Sequence, residues 1–119
     1  MSLSTISSNL IRGNIDTIIL CILCQKDSYG YEIIKTIKDK SQGNYELKEP
    51  TLYSCLNRLA KQKCIESYWG DESQGGRRKY YRVTDEGKAT YEANLAAWRQ
   101  AREVIDQLVE KDGGAQCAT

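Results

Sequence analysis

At 119 residues, with 17 Lys and Arg against 16 Asp and Glu and a formal net charge of +1, the chain has the size of one domain and no overall charge bias. It contains no histidine, so the commonest general base is absent and Ser or Cys nucleophiles lack their usual partner, which argues against an enzyme. No apolar run approaches the roughly 20 residues of a membrane span, and the start MSLSTISSNLIRGN lacks the parts of a secretory signal, so no membrane association and a cytoplasmic location are expected.

Residues from about Thr5 to Gln25 read as one helix, because Ile11, Ile15, Ile18, Ile19 and Ile22 recur at three- and four-residue steps. β-Branched residues are mediocre helix formers, so packing must hold this segment. Cys21 and Cys24 form a C-x-x-C inside this apolar run. With no second pair at ligand spacing, they read as small buried hydrophobes rather than a metal or redox site. Five cysteines, an odd number, fit reduced thiols better than a disulfide framework. Asp27-Ser28 supplies a break and a capping side chain. A second helix follows over about Tyr29–Lys40, with Ile33, Ile34 and Ile37 inward and Lys35, Lys38 and Lys40 outward, Lys35 being a candidate DNA contact. Ser41-Gln42-Gly43-Asn44 ends it, and YELK at 45–48 reads as a short extended piece.

Pro50 marks the start of a third helix, where a missing backbone N–H costs nothing. Leu52, Leu56 and Leu59 share one face, while Thr51, Ser54, Asn57, Arg58 and Lys61 project elsewhere. Those are side chains that read base edges and phosphates, and Asn57 and Arg58 are the best base-edge candidates. Tyr53 fits a phosphate contact or a core ring equally well. IESYWGD and RRKYYRVT are β-type runs joined by Ser73-Gln74-Gly75-Gly76, which predicts a hairpin. Thr84 then caps a last helix that runs to about Lys111, with Asp85 and Glu86 complementing its positive N-terminus.

Three helices, a hairpin and a long helix predict a mainly α protein with a small β-hairpin, a winged helix-turn-helix whose third helix enters the major groove. The expected organisation is a DNA-binding domain over 1–83, a dimerisation helix over 84–111 and a frayed tail over 112–119. Charge is segregated accordingly: residues 28–63 carry +3 and 64–83 carry +1, whereas 84–119 carry −3. On this reading Gly75 and Gly76 form the wing tip and Arg77, Arg78 and Lys79 neutralise phosphates of double-stranded DNA. Side chains alternate along a strand, so Arg78, Tyr80 and Arg82 share one face and Lys79, Tyr81 and Val83 the other. The plainer alternative is a solvated edge whose charge prevents aggregation.

The last helix, roughly 40 Å long, places Tyr91, Leu95, Trp98, Ala101, Ile105 and Leu108 at steps of four and three. A second copy of the chain is the economical partner for that stripe, with the first helix contributing to the same homodimer. Trp98, beside Ala96, Ala97 and Ala101, suits either a packed interface ring or a slot where a planar aromatic molecule stacks.

The blocks YGYEIIKTIK, PTLYSCLNRL and GGRRKYYRVTDEGK resemble the signature blocks of PadR-type transcriptional repressors, and SYWGDESQGGRRKYYR is similar to the multidrug-binding LmrR type. The resemblance implies a dimeric winged-helix repressor without cofactor, acting on an inverted-repeat operator. It further implies that Trp98 lines a ligand-accepting pore between subunits, with Leu10, Gly13, Asp16, Thr17 and Ile105 at matching positions. Three positions depart from the pattern: Arg102 replaces an acid four residues after the tryptophan, Leu95 replaces an aromatic, and Lys63 replaces a glycine after the reading helix. The last exchange costs about 1 kcal/mol of capping. Two alternatives remain open from sequence: a redox regulator working through Cys21 and Cys24, and a winged helix used for protein–protein contact.

Overall fold

A computed structural model describes residues 8–72 and 76–110. Its elements are α1 (Ser8–Ile11), a 3-10 turn (Arg12–Asn14), α2 (Ile15–Gln25), β1 (Ser28–Tyr29), α3 (Gly30–Lys40), α4 (Glu49–Lys61), β2 (Ile65–Glu72), β3 (Gly76–Val83) and α5 (Asp85–Val109). The fold is mainly helical with a small antiparallel sheet, as the residue pattern predicts.

α2 is the central rod. Ile15, Ile19, Leu20, Ile22 and Leu23 are buried along it, because α3, α4, α5 and β3 all pack against it. Ile33 and Ile37 of α3 and Leu52, Leu56 and Leu59 of α4 complete one continuous core. Tyr45 and Leu47 join that core while Glu46 and Lys48 face solvent. The 45–48 piece thus alternates as extended chain does, without belonging to a strand.

Three sequence expectations need correction. The first helix is broken at Arg12–Asn14 into a 3-10 turn, where Gly13 and Asn14 are weak helix formers. Ser28 does not cap α3; it lies in β1, its hydroxyl donates to the Lys26 carbonyl at 3.1 Å, and Tyr29 is the N-cap without a side-chain bond. The sheet has three strands, in order β1-β3-β2, rather than two. Ser28 faces Tyr81 and Tyr29 faces Tyr80, so a two-residue strand fastens the hairpin to the helices.

α3 and α4 both close on left-handed residues, Gln42 after the first and Lys63 after the second. At the end of α4, Lys63 has φ 64°. The Cys64 N–H donates to the Leu59 carbonyl at 2.9 Å and the Lys63 N–H to that of Ala60 at 3.0 Å. This is the Schellman arrangement, with a lysine where glycine is preferred. α5 starts as expected: the Thr84 hydroxyl accepts the Gly87 N–H at 3.0 Å.

Candidate nucleic-acid interface and the adjoining groove

The spacing of α4 sets its chemistry. With Leu52, Cys55, Leu56 and Leu59 buried, a repeat of 3.6 residues puts Ser54, Asn57 and Lys61 on the opposite, exposed face. Thr51 and Arg58 fall on one flank, and Tyr53 on the other. Tyr53 is neither a core ring nor a free one. A side chain at Gly30 would run into its hydroxyl and ring, so the phenol lies across the first turn of α3. Lys35, exposed on α3, pairs with Asp39 at 3.0 Å.

Arg58 is held by a partner that sequence reading did not anticipate. Its Nη2 donates to Asp16 Oδ1 at 2.6 Å and its Nε to Oδ2 at 3.3 Å, across 42 positions of chain. The pair ties the flank of α4 to the first turn of α2. No local pattern encodes a contact between two helices so far apart in sequence.

In the wing, β2 and β3 pair from Ile65↔Val83 to Glu72↔Gly76. Gly75 lies outside the described residues, and Gly76 opens β3. Alternation divides the three consecutive cations. Arg78 joins Tyr80 and Arg82 on one face, and Arg77 and Lys79 join Tyr81 on the other. On the first face Tyr80 stacks on Tyr68 (5.7 Å, 14°) and meets Tyr29 edge-on (5.5 Å, 76°). The Arg78 and Arg82 guanidinium groups lie over Tyr29 and Tyr68 at 4.4 and 5.0 Å. Gly70 is required beside this stack, since any side chain there would strike the Tyr80 ring. Tyr68 donates its hydroxyl to Asp27 at 2.6 Å, which raises its pKa. On the second face Tyr81 is buried, while Arg77 and Lys79 extend past the core.

A groove of about 600 Å³ lies between the N-terminal segment and α5. All six positions proposed for the ligand, Leu10, Gly13, Asp16, Thr17, Trp98 and Ile105, line it together with Arg102 and Asp106. The Arg102 guanidinium lies 5.6 Å from the Trp98 ring centroid. Trp98 is 39% exposed, and beyond it Ile105 and Leu108 are 55% and 77% exposed. Next to the groove, Cys21 Sγ lies 3.6 Å from the Tyr91 hydroxyl. Contrary to the sequence expectation of two buried thiols, Cys24 is exposed and Cys21 half-buried, because Cys24 falls at the solvent side of the last turn of α2. Partial desolvation and then Cys21 still raise the Cys24 thiol pKa, which keeps its thiolate fraction small.

Residues 19–93 match the model of the Transcriptional regulator PadR-like family. The chain belongs to that family. A transcriptional regulator from Clostridium thermocellum is 46% identical, superimposes with a TM-score of 0.79, and overlaps 86% of this chain and 99% of that one. A PadR family transcription regulator from Clostridium difficile is 43% identical with a TM-score of 0.72, over 82% and 99% of the two chains. The transcriptional regulator YqjI of Escherichia coli is 34% identical over 99 residues; the match spans 83% of this chain but only 44% of that protein. PadR-like proteins are transcriptional regulators, not enzymes. Among the described residues of this member there is no acid, cysteine or histidine cluster able to hold a metal, and no helix long and apolar enough to cross a membrane.

Proposed function

We propose that this PadR-like regulator is a DNA-binding repressor that acts as a homodimer on an inverted-repeat operator and leaves it when a planar aromatic molecule enters the groove at Trp98, as the LmrR type would. One observation carries the DNA half: the polar face Ser54, Asn57 and Lys61 stands opposite the buried leucines of α4, in a fold whose wing carries Arg77 and Lys79 past the core. A helix presents its reading groups in that way to a major groove, and wing cations reach the flanking phosphates. The apolar end of α5 supports the dimer, because Ile105, Leu108 and Val109 lie exposed on a helix that its own domain does not cover. Two wings would then contribute four phosphate contacts from Arg77 and Lys79.

The test is binding to a duplex selected from a random library, followed by fluorescence anisotropy across a salt series. Asn57→Ala should lose discrimination at one position per half-site, by about 1–3 kcal/mol. Replacing Arg77 and Lys79 together by alanine should reduce the slope of log affinity against log salt by about 3.5 in a dimer. A wild-type chain without sequence preference, or a double variant with the original slope, would refute the reading. For the ligand half, titrating planar aromatic compounds against Trp69→Phe, which leaves Trp98 as the reporter, should give saturable quenching.

A further inference from the structure

The wing holds an apolar group that neither the core nor the reading helix uses. Trp69 is 59% exposed, an unusual state for the largest apolar side chain. Its cross-strand partner is Lys79, and the Arg77 guanidinium lies 5.6 Å from its ring centroid. The face it occupies also carries Ile65 and Tyr81, which pack on the helices. β2 packs against α4, so this face passes alongside the reading helix. The Trp69–Lys79 pair lies two positions beyond Ser67–Tyr81, or roughly 7 Å further out. The indole therefore overhangs the core on the helix side of the sheet, with the Arg77 guanidinium beside it and Lys79 across the strand pair, its ammonium 6.0 Å from the Tyr81 ring centroid.

A solvent-exposed indole with two cations nearby fits a polyanion that also presents apolar surface. The sugar edge of a nucleic acid backbone does so: deoxyribose rings lie between phosphates. A protein surface could take the indole but has less use for two adjacent cations. We propose that Trp69 is a direct backbone contact of the wing, packing on deoxyribose while Arg77 and Lys79 take the adjoining phosphates. This rests on the DNA-binding reading above and adds to it a contact of a different physical kind. The indole contributes affinity that salt does not screen, whereas the cations contribute through counterion release.

The experiment uses the full chain, a selected operator duplex and a random-sequence duplex. Trp69→Ala should weaken binding to both by about tenfold at every salt concentration, leaving the salt slope unchanged, because no charge is lost. Trp69→Phe should recover most of the loss. Arg77→Ala should instead flatten the slope. In a Trp98→Phe chain the remaining Trp69 emission should shift to the blue on saturation with duplex, since the ring leaves water. Unaltered affinity of Trp69→Ala, or unaltered Trp69 emission in a saturated complex, would overturn the contact. A slope change equal to that of Arg77→Ala would also overturn it, by showing that the ring only props the arginine. Failure of the wild-type chain to bind either duplex would remove the DNA reading itself, and the contact with it.

Discussion

Replacing Gly87 by alanine sets two effects of opposite sign against each other. Gly87 is the third residue of α5 and its one buried residue among those described. By propensity alone, alanine in a helix gains about 1 kcal/mol over glycine. The packing opposes that gain. A methyl group at Gly87 would collide with the Cys64 carbonyl oxygen and approach the Cys64 carbonyl carbon at 2.9 Å and Val83 Cγ2 at 2.8 Å. Backbone and a half-buried, packed valine cannot withdraw as a flexible side-chain tip can, so the first turn of α5 must move. Overpacking of this kind costs about 1–3 kcal/mol. Movement also strains the cap, in which the Thr84 hydroxyl accepts the Gly87 N–H and the Thr84 N–H donates to the same Cys64 carbonyl at 2.9 Å; a lost cap costs about 1 kcal/mol more. The expected net loss is about 2 kcal/mol, or roughly 8 °C in Tm. Urea titration followed by circular dichroism gives the value, at one fixed protomer concentration because assembly adds to stability. Gly13→Ala is the control: nothing lies within 4 Å of its added methyl, so that variant should be neutral or up to about 1 kcal/mol more stable. Gly87→Ala as stable as the parent would refute the packing argument.

Two further outcomes follow from single side chains. Lys63→Gly relieves a left-handed lysine at φ 64° and should add about 1 kcal/mol in the same titration, with no change in the urea slope. The Tyr81 and Tyr45 phenols are held protonated, first by burial. A pKa higher folded than unfolded contributes stability that is complete below the unfolded value, about 10, and is lost as pH rises through the folded one. Above about pH 10 the parent should therefore lose stability faster than a Tyr45→Phe, Tyr81→Phe variant, as urea midpoints at successive pH values would show.

Most of the helical frame was legible because amphipathic periodicity is a local property. Leu52, Leu56 and Leu59 shared one face on paper and share it in the fold, and Thr84 capped α5 as its neighbours implied. What sequence missed was non-local or balanced between weak preferences. β1 is two residues long and exists only because Tyr80 and Tyr81 pair with it. The break at Arg12–Asn14 turns on the modest cost of a glycine and an asparagine inside an otherwise apolar stripe. The extended piece at 45–48 was legible, but its local pattern did not reveal that Tyr45 fills the core from it. In the candidate sites, alternation assigned Arg78 and Lys79 to opposite faces correctly. It gave no hint that Trp69 would be left exposed with Arg77 beside it and Lys79 across the strand pair.

The Asp16–Arg58 bridge has a consequence for the whole molecule. Asp16 belongs to the wall of the groove, and Arg58 to the flank of the rod that would face DNA. Each group is the other's charge partner. If Arg58 swings away, a bare carboxylate is left facing the hollow; if a cation settles against Asp16, the guanidinium is set loose on the flank of α4. Two surfaces that look independent thus share one ionic contact, and neither can change its company without altering the other's.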